Sequence, residues 1–362
     1  MPSTESVSHD DLIVCACGNQ EYKARDAIHA TLFRGELESN WTEFLRRVEA
    51  ERRADEMDMD FDGSALDTAA EGFRYDHDLI TAEETEQWLA ARGLTLDDFS
   101  DYFARQHCAS MLSEEVTPGD VDYLSAPVEL RQLFAAELIL SGDLDWMTTQ
   151  LIWRLAARSA AKDSDSDAVA QEERKFFDRH QIGSVQLPNW LERLGRDSQW
   201  FSEMRAMEAA YRQRCETLLV QQARQHELVS LRLPLTRFET EMIELESRDA
   251  AQEALFCVRE DGMSIEEVAT EGRYPYRRVD FLLEDIPADL QQRFLSVSAG
   301  DVLEPIGRGE GFELCRVIKK IEPHADDPAV RLRIEQRILD RHFADLSSKY
   351  VERRLGAFIP AE

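Results

Sequence analysis

The apolar residues of this chain change their period near residue 231, and that change limits what it can fold into. Upstream, "ESNWTEFLRRVEAERRADE" sets Trp41, Phe44, Leu45 and Val48 at i, i+3, i+4 and i+7, the stripe of an amphipathic helix. Downstream, "LRLPLTRFETEMIELES" at 231–247 alternates, with Phe238, Thr240, Met242 and Glu244 on one side and Ile243 and Leu245 on the other. That two-residue period belongs to a strand with two distinct faces. The chain therefore reads as an α+β protein: a mostly helical N-terminal domain, then a small mixed module.

The helical reading runs from Glu21 to about Val229. Ser39 or Asn40 can cap the first long helix, with Glu43 at capping-box distance from Asn40. Thr81 with Glu84 forms a second capping box, Gly93 ends that helix, and Thr95 opens another carrying Phe99, Tyr102, Phe103 and Gln106. Further helices are expected at 128–140, 143–160, 168–180, 187–195 and 198–229. Residues 57–80 are acidic and interrupted by glycine, and read as a loop, as does the polar segment 162–168. Asp58, Asp60, Asp62 and Gly63 resemble the start of a calcium loop, but its twelfth position is Ala69. Without a bidentate glutamate there, calcium binding is not expected.

The module at 231–323 reads β-α-α-α-β-β. The first strand is followed by a helix closed by Gly262, a shorter one capped by Ser264, and a third begun by Pro287. The stretch "RYPYRRVDF" reads as a surface loop with three arginines in an otherwise acidic chain. Gly307, Gly309 and Gly311 then lead into a last alternating strand that stops at Pro323. A long helix starts near Pro328, with Val330, Ile334, Ile338 and Phe343 on one side. The domain plan is a tail at 1–20, a helical domain at 21–230, the module at 231–323, and a helix at 327–356 that packs back on the helical part.

The chain carries 72 acidic against 42 basic residues, a formal charge of −30. Such a surface is repelled by nucleic acid and by anionic membranes, so neither is an expected partner. No run approaches the ~20 apolar residues of a membrane span. The first residues lack a basic n-region, and Leu12 to Cys17 is too short for the apolar part of a secretion signal. With six scattered cysteines, a reducing, cytoplasmic setting is expected. Cys15 and Cys17, with His9 upstream, form only one Cys-x-Cys pair, so no metal is expected, nor any cofactor.

The module resembles the parvulin, or PpiC-type, peptidyl-prolyl isomerase domain. The residues that carry the likeness are the strand Phe238 to Glu246, the helical "AAQEALFCVREDGMSIEEVA", the segment "DLQQRFLSVSAGDVLEPI", and Gly311 leading into the final strand. The whole arrangement is similar to SurA-like chaperones, and Leu79 to Phe103 resembles their helical domain. The resemblance implies a pocket that twists a prolyl amide between apolar walls and two histidines. Here the first histidine position falls at Glu241 or Met242, and the last at Glu313. None of the eight histidines lies between residues 227 and 323. A carboxylate cannot act as both donor and acceptor as a neutral imidazole does, so the catalytic centre is expected to be degenerate and no catalytic residue is assigned.

By the resemblance, Met242, Phe281, Leu290, Phe294 and Phe312 are candidates to line a peptide pocket, beside the simpler reading that they fill the module's core. Arg273, Arg277 and Arg278 are candidates to meet an acidic peptide, or else to neutralise nearby carboxylates. The expected function is a peptide-binding chaperone or peptide-maturation accessory. Its partner would be an unfolded or precursor client, with a peptide-modifying enzyme as a second candidate. The alternative is an active isomerase with a rebuilt site using Cys257 or Cys315 with Glu313 or Glu241.

Overall fold

The computed structural model describes residues 9–59, 63–112, 116–161, 165–309 and 311–355. They divide into two compact units. The larger takes the chain up to Cys215 and again from His342, and the smaller takes Glu216–Arg341.

The larger unit is helical apart from one small sheet. Thr81 caps its helix through the box expected from sequence and Thr95 opens its helix as expected, the two accepting from the backbone N–H groups of Glu84 and Asp98 at 3.1 Å each. The long helix Glu38–Glu56 starts earlier than expected, with Leu37 at the cap position. Leu37 is buried, so core packing sets this start. Ser39 and Asn40 lie within the helix, and Glu43 pairs with Arg46 and Arg47. Gly63–Asp76 is a helix where a loop was expected. It buries little, but Phe73 sets its ring edge-on to Trp88, Phe99 and Phe103. Asp60 and Asp62 lie outside the described residues, as do 162–164 of the expected polar loop.

Two further departures concern short elements. The expected tail at 1–20 contains the strand Ile13–Cys17, which turns at Gly18 (φ +58°) into Gln20–Lys23. The expected C-terminal helix ends at Tyr350, and Val351–Arg353 pairs with the other side of Ile13–Cys17. Strands of three to five residues are too short to show a period. The expected helix 198–229 is two helices, Ser198–Leu218 and Gln221–Ser230, parted by Val220 in extended conformation. Within the larger unit Phe343 lies 5.1 Å from the rings of both Trp153 and Tyr211.

Buried charge in this unit is handled by glutamate–arginine pairs. Glu137 accepts from Arg47 at 2.8 Å and Arg105 at 3.1 Å. Glu208 accepts from Arg154 at 2.7 Å, and Glu172 from Lys175 at 3.0 Å and Arg212 at 2.5 Å. A carboxylate out of water is tolerable only with such partners.

The smaller unit is built on a four-stranded antiparallel sheet in the order Tyr276–Leu282, Arg237–Leu245, Gly311–Ile321, Ile306–Arg308. The central strand Arg237–Leu245 is covered on both faces. Ile243 and Leu245 pack with Leu314 against the helices Arg248–Arg259 and Ile265–Gly272. Phe238 and Met242 pack with Cys315, Val317 and Phe294 on the other face. Tyr276–Leu282 corrects the sequence reading, which had a loop there; the order is β-α-α-β-α-β-β. Near the unit's other end, Leu231, Leu235 and Leu282 pack with Val330 and Ile334.

Replacing Glu137 by leucine leaves Arg105 and Arg47 without their shared carboxylate. The expected loss is about 3–5 kcal/mol, the cost of an uncompensated buried charge, read in thermal melts followed by circular dichroism. A melt unchanged from wild type would contradict this account of the pair.

Candidate functional site

Glu313 lies on the face of the sheet that carries Met242, since Cys315 pairs with Met242 and Glu313 with Glu244 across the same two strands. Two like charges directly opposite each other on adjacent strands are destabilising. Arg277 resolves this from the neighbouring strand: its Nη2 donates to Glu313 and lies 3.5 Å from Glu244. Arg308, from the short strand on the other side, brings its Nε to 3.2 Å from the second Glu313 oxygen. Glu313 is 2% exposed, so its carboxylate is held by two guanidinium groups and shielded from bulk water. Beside it opens a cleft of about 490 Å³ lined by Leu245, Pro275 and Phe312 and by the charged Glu244, Glu246, Arg277 and Arg308. A side chain at Gly311 would come to 3.0 Å from the Leu245 carbonyl oxygen, so any larger residue there would press on the facing strand.

The structure separates the sequence candidates by strand parity. Met242, Phe281, Leu290 and Phe294 come together on the Glu313 face. Phe281 lies 5.2 Å from Phe294, the two rings perpendicular. There they form core, with Met242 and Phe294 buried and Phe281 and Leu290 half-buried. Phe312 belongs to the opposite face, packed with Leu245 and Leu314, and reaches the cleft at its rim. Glu241 is also on the opposite face, where it accepts from the Tyr276 hydroxyl at 3.0 Å and from Arg278 at 2.9 Å. Of the two positions for the first histidine, only Met242 faces Glu313.

The arginines of "RYPYRRVDF" sit differently from the expected loop. Arg277 and Arg278 are strand residues that neutralise this chain's own Glu313, Glu244 and Glu241. Arg273 is in the left-handed region (φ +56°) after the helix Ile265–Gly272 and is exposed, with no ion pair among the described residues. Sequence reasoning missed Arg308 and Glu244, which complete the charge cluster. Arg308 is two residues from Ile306, the partner of Glu313, a relation visible only once the hairpin register is known.

The rebuilt-isomerase set is divided by the same parity. Cys315 shares the Glu313 face, whereas Cys257 packs with Glu241's face. Burial pushes the Cys315 thiol up to about 12, so it is a protonated, inert core group at neutral pH. Cys15 is likewise buried, its thiol pushed up to about 12 by burial. Cys17 lies 3.4 Å from the Ser159 hydroxyl. Among the described residues no group of His, Cys, Asp or Glu is arranged to hold a metal, and no helix is long and apolar enough to cross a membrane.

No family model and no curated protein matches the sequence. Solved structures do. The chain is similar to PrsA and SurA-like foldases. The peptidylprolyl isomerase PrsA from Bacillus anthracis is 16% identical, over 56% of this chain and 93% of its own, with a TM-score of 0.30. Its counterpart from Bacillus cereus is 12% identical over 64% and 89%, with a TM-score of 0.35. One of the two related SurA-like chaperones of Campylobacter jejuni, PEB4 and Cj1289, is 8% identical over 60% and 89%, with a TM-score of 0.20. At these scores the superpositions place no residue of the site, whose geometry stands on the contacts above.

The buried state of Cys315 is checked by labelling. At pH 8 a maleimide is expected to leave Cys315 unmodified in the folded chain and to modify it in denaturant, as read by peptide mass spectrometry. Modification of native Cys315 on the timescale of an exposed thiol would contradict the geometry.

Proposed function

We propose that this chain is a peptide-binding chaperone or peptide-maturation accessory of the SurA/parvulin type that works without efficient prolyl isomerase activity. The observation that supports the loss of catalysis is the state of Glu313. Rotation about an X–Pro bond has a barrier of ~18–20 kcal/mol. Lowering it requires groups that bind the twisted amide better than the planar one. Glu313 offers only acceptor oxygens, already engaged by Arg277 and Arg308. Cys315 is a core thiol, and Glu241 is on the far side of the sheet. Of Glu313, Cys315 and Glu241, none is left free to act as donor and acceptor on the twisted amide.

Peptide binding is supported by the cleft beside Glu313. Its lining joins Phe312, Leu245 and Pro275 to the charged Arg277, Arg308, Glu244 and Glu246, which suits an extended segment that sets an apolar side chain against Phe312 and its polar backbone among the charged groups. The partner is an unfolded or precursor polypeptide, and a peptide-modifying enzyme is the second partner class. The six cysteines, read as a set without disulfides, fit a cytoplasmic setting.

Two measurements test this reading. A fluorescently labelled unfolded polypeptide titrated at low salt is expected to bind saturably, and Phe312→Ala to weaken it several-fold. Absence of saturable binding removes the chaperone reading. In a protease-coupled prolyl assay the expected trace is the uncatalysed one. Turnover that disappears in Glu313→Ala would replace this proposal by a working isomerase.

A further inference from the structure

Arg92 in the larger unit is an arginine buried without an anion. The residue is 8% exposed. Its guanidinium stacks over the Trp88 ring at 3.9 Å from the centroid, and Nη1 donates to the Trp88 carbonyl at 3.2 Å. No carboxylate comes within ion-pair distance of it among the described residues. The other buried arginines of this unit are different. Arg34 meets Glu36 and Glu208, Arg105 meets Glu137 and Glu51, and Arg154 meets Glu208. Burial lowers the pKa of Arg92 to about 10, against a partial opposing effect from Asp145. A cation in that state calls for a counter-ion.

Arg92 also lines a cavity of about 500 Å³, whose other walls include Trp88, Ile139, Leu144 and Leu355. Asp78, Glu84 and Asp145 also line the cavity, and two of these three are engaged elsewhere. Glu84 is turned to the backbone N–H of Thr81 at 2.7 Å, where it completes a helix cap. The Asp145 carboxylate is held by Arg353. Their charge also sets a limit on the ligand. Asp78, Glu84 and Asp145 line the same cavity and repel any anion, a polyanion such as a nucleotide most strongly, so a ligand with a single carboxylate set against Arg92 meets the least repulsion.

We infer that this cavity is a binding site for one carboxylate carried on an apolar body, with Arg92 as its counter-ion and Trp88, Ile139 and Leu144 as its apolar wall. A peptide supplies that chemistry either at its C-terminus or from an acidic side chain beside an apolar one. The site stands on the larger unit alone, so it does not depend on the cleft near Glu313, and failure of either leaves the other unaffected.

The test titrates the full chain calorimetrically at low salt with three probes. These are N-acetyl-leucyl-leucine as the free acid, its C-terminal amide, and the amide of N-acetyl-glutamyl-leucine. The expected result is that at least one of the two acids binds ten-fold or more tightly than the neutral amide, and which of them does so assigns the carboxylate to a terminus or a side chain. Equal binding of all three, or binding of none at millimolar concentration, overturns the inference. Arg92→Met is expected to abolish the acid preference while melting at or above the wild-type temperature, because an unpaired buried charge has been removed. Arg92→Met melting well below wild type and retaining the preference would make Arg92 a structural group and also overturn it. Should that variant fail to fold, Arg92→Lys, which keeps the charge but loses the planar fork, is expected to bind the preferred acid several-fold more weakly, and unchanged binding counts against the inference.

Discussion

Among the described residues every buried glutamate is met by arginine, and much of the structure follows from that constraint. Glu137, Glu172, Glu208, Glu227, Glu241 and Glu313 are buried, and each accepts from at least one guanidinium. Several join elements distant in sequence, as Glu137 joins the helix Glu38–Glu56 to Leu96–Met111. In a chain with a formal charge of −30, the minority of basic residues is thus partly committed inside. The surface left to solvent is acidic in consequence, which favours solubility and disfavours nucleic acid.

The same rule explains the site. A carboxylate at Glu313, buried and directly opposite Glu244, needs neutralisation, and Arg277 and Arg308 provide it from strands on either side. The cluster ties together all four strands at one end of the sheet. It fills with fixed charge the place where the parvulin resemblance implies a polar catalytic group. Apolar packing on that face runs through Met242, Phe281 and Phe294. On the proposed reading, fold and activity separate here, because the apolar pattern fixes the first and a few polar positions fix the second.

Much of this was legible in the sequence. The period change near 231, the capping box at Thr81, the helix starts at Thr95 and Ser264, and the final strand after Gly311 all rest on local signals that the structure reproduces. What the sequence hid depends on pairing. The strand Tyr276–Leu282 carries Arg277, Arg278 and Asp280, which dilute its apolar alternation, and it forms because the central strand offers a free edge. The three-stranded sheet of the larger unit joins Ile13–Cys17 to Val351–Arg353, segments at opposite ends of the chain. Among site residues, Glu313 could be singled out from its place after Gly311. Its partners Arg308 and Glu244, and the separation of Glu241 and Phe312 from Met242, required the strand register.

The central claim is that Glu313 is bound to Arg277 rather than available to a substrate, and a double-mutant cycle measures that bond directly. Stabilities of the wild type, Glu313→Leu, Arg277→Leu and the double variant, from urea titrations of the full chain, give the coupling between the two side chains. A coupling of at least about 1 kcal/mol is expected for an ion pair with one fully buried partner. Independent, additive effects would mean that Glu313 is not held by Arg277, and would return its carboxylate to the list of groups able to act on a bound peptide.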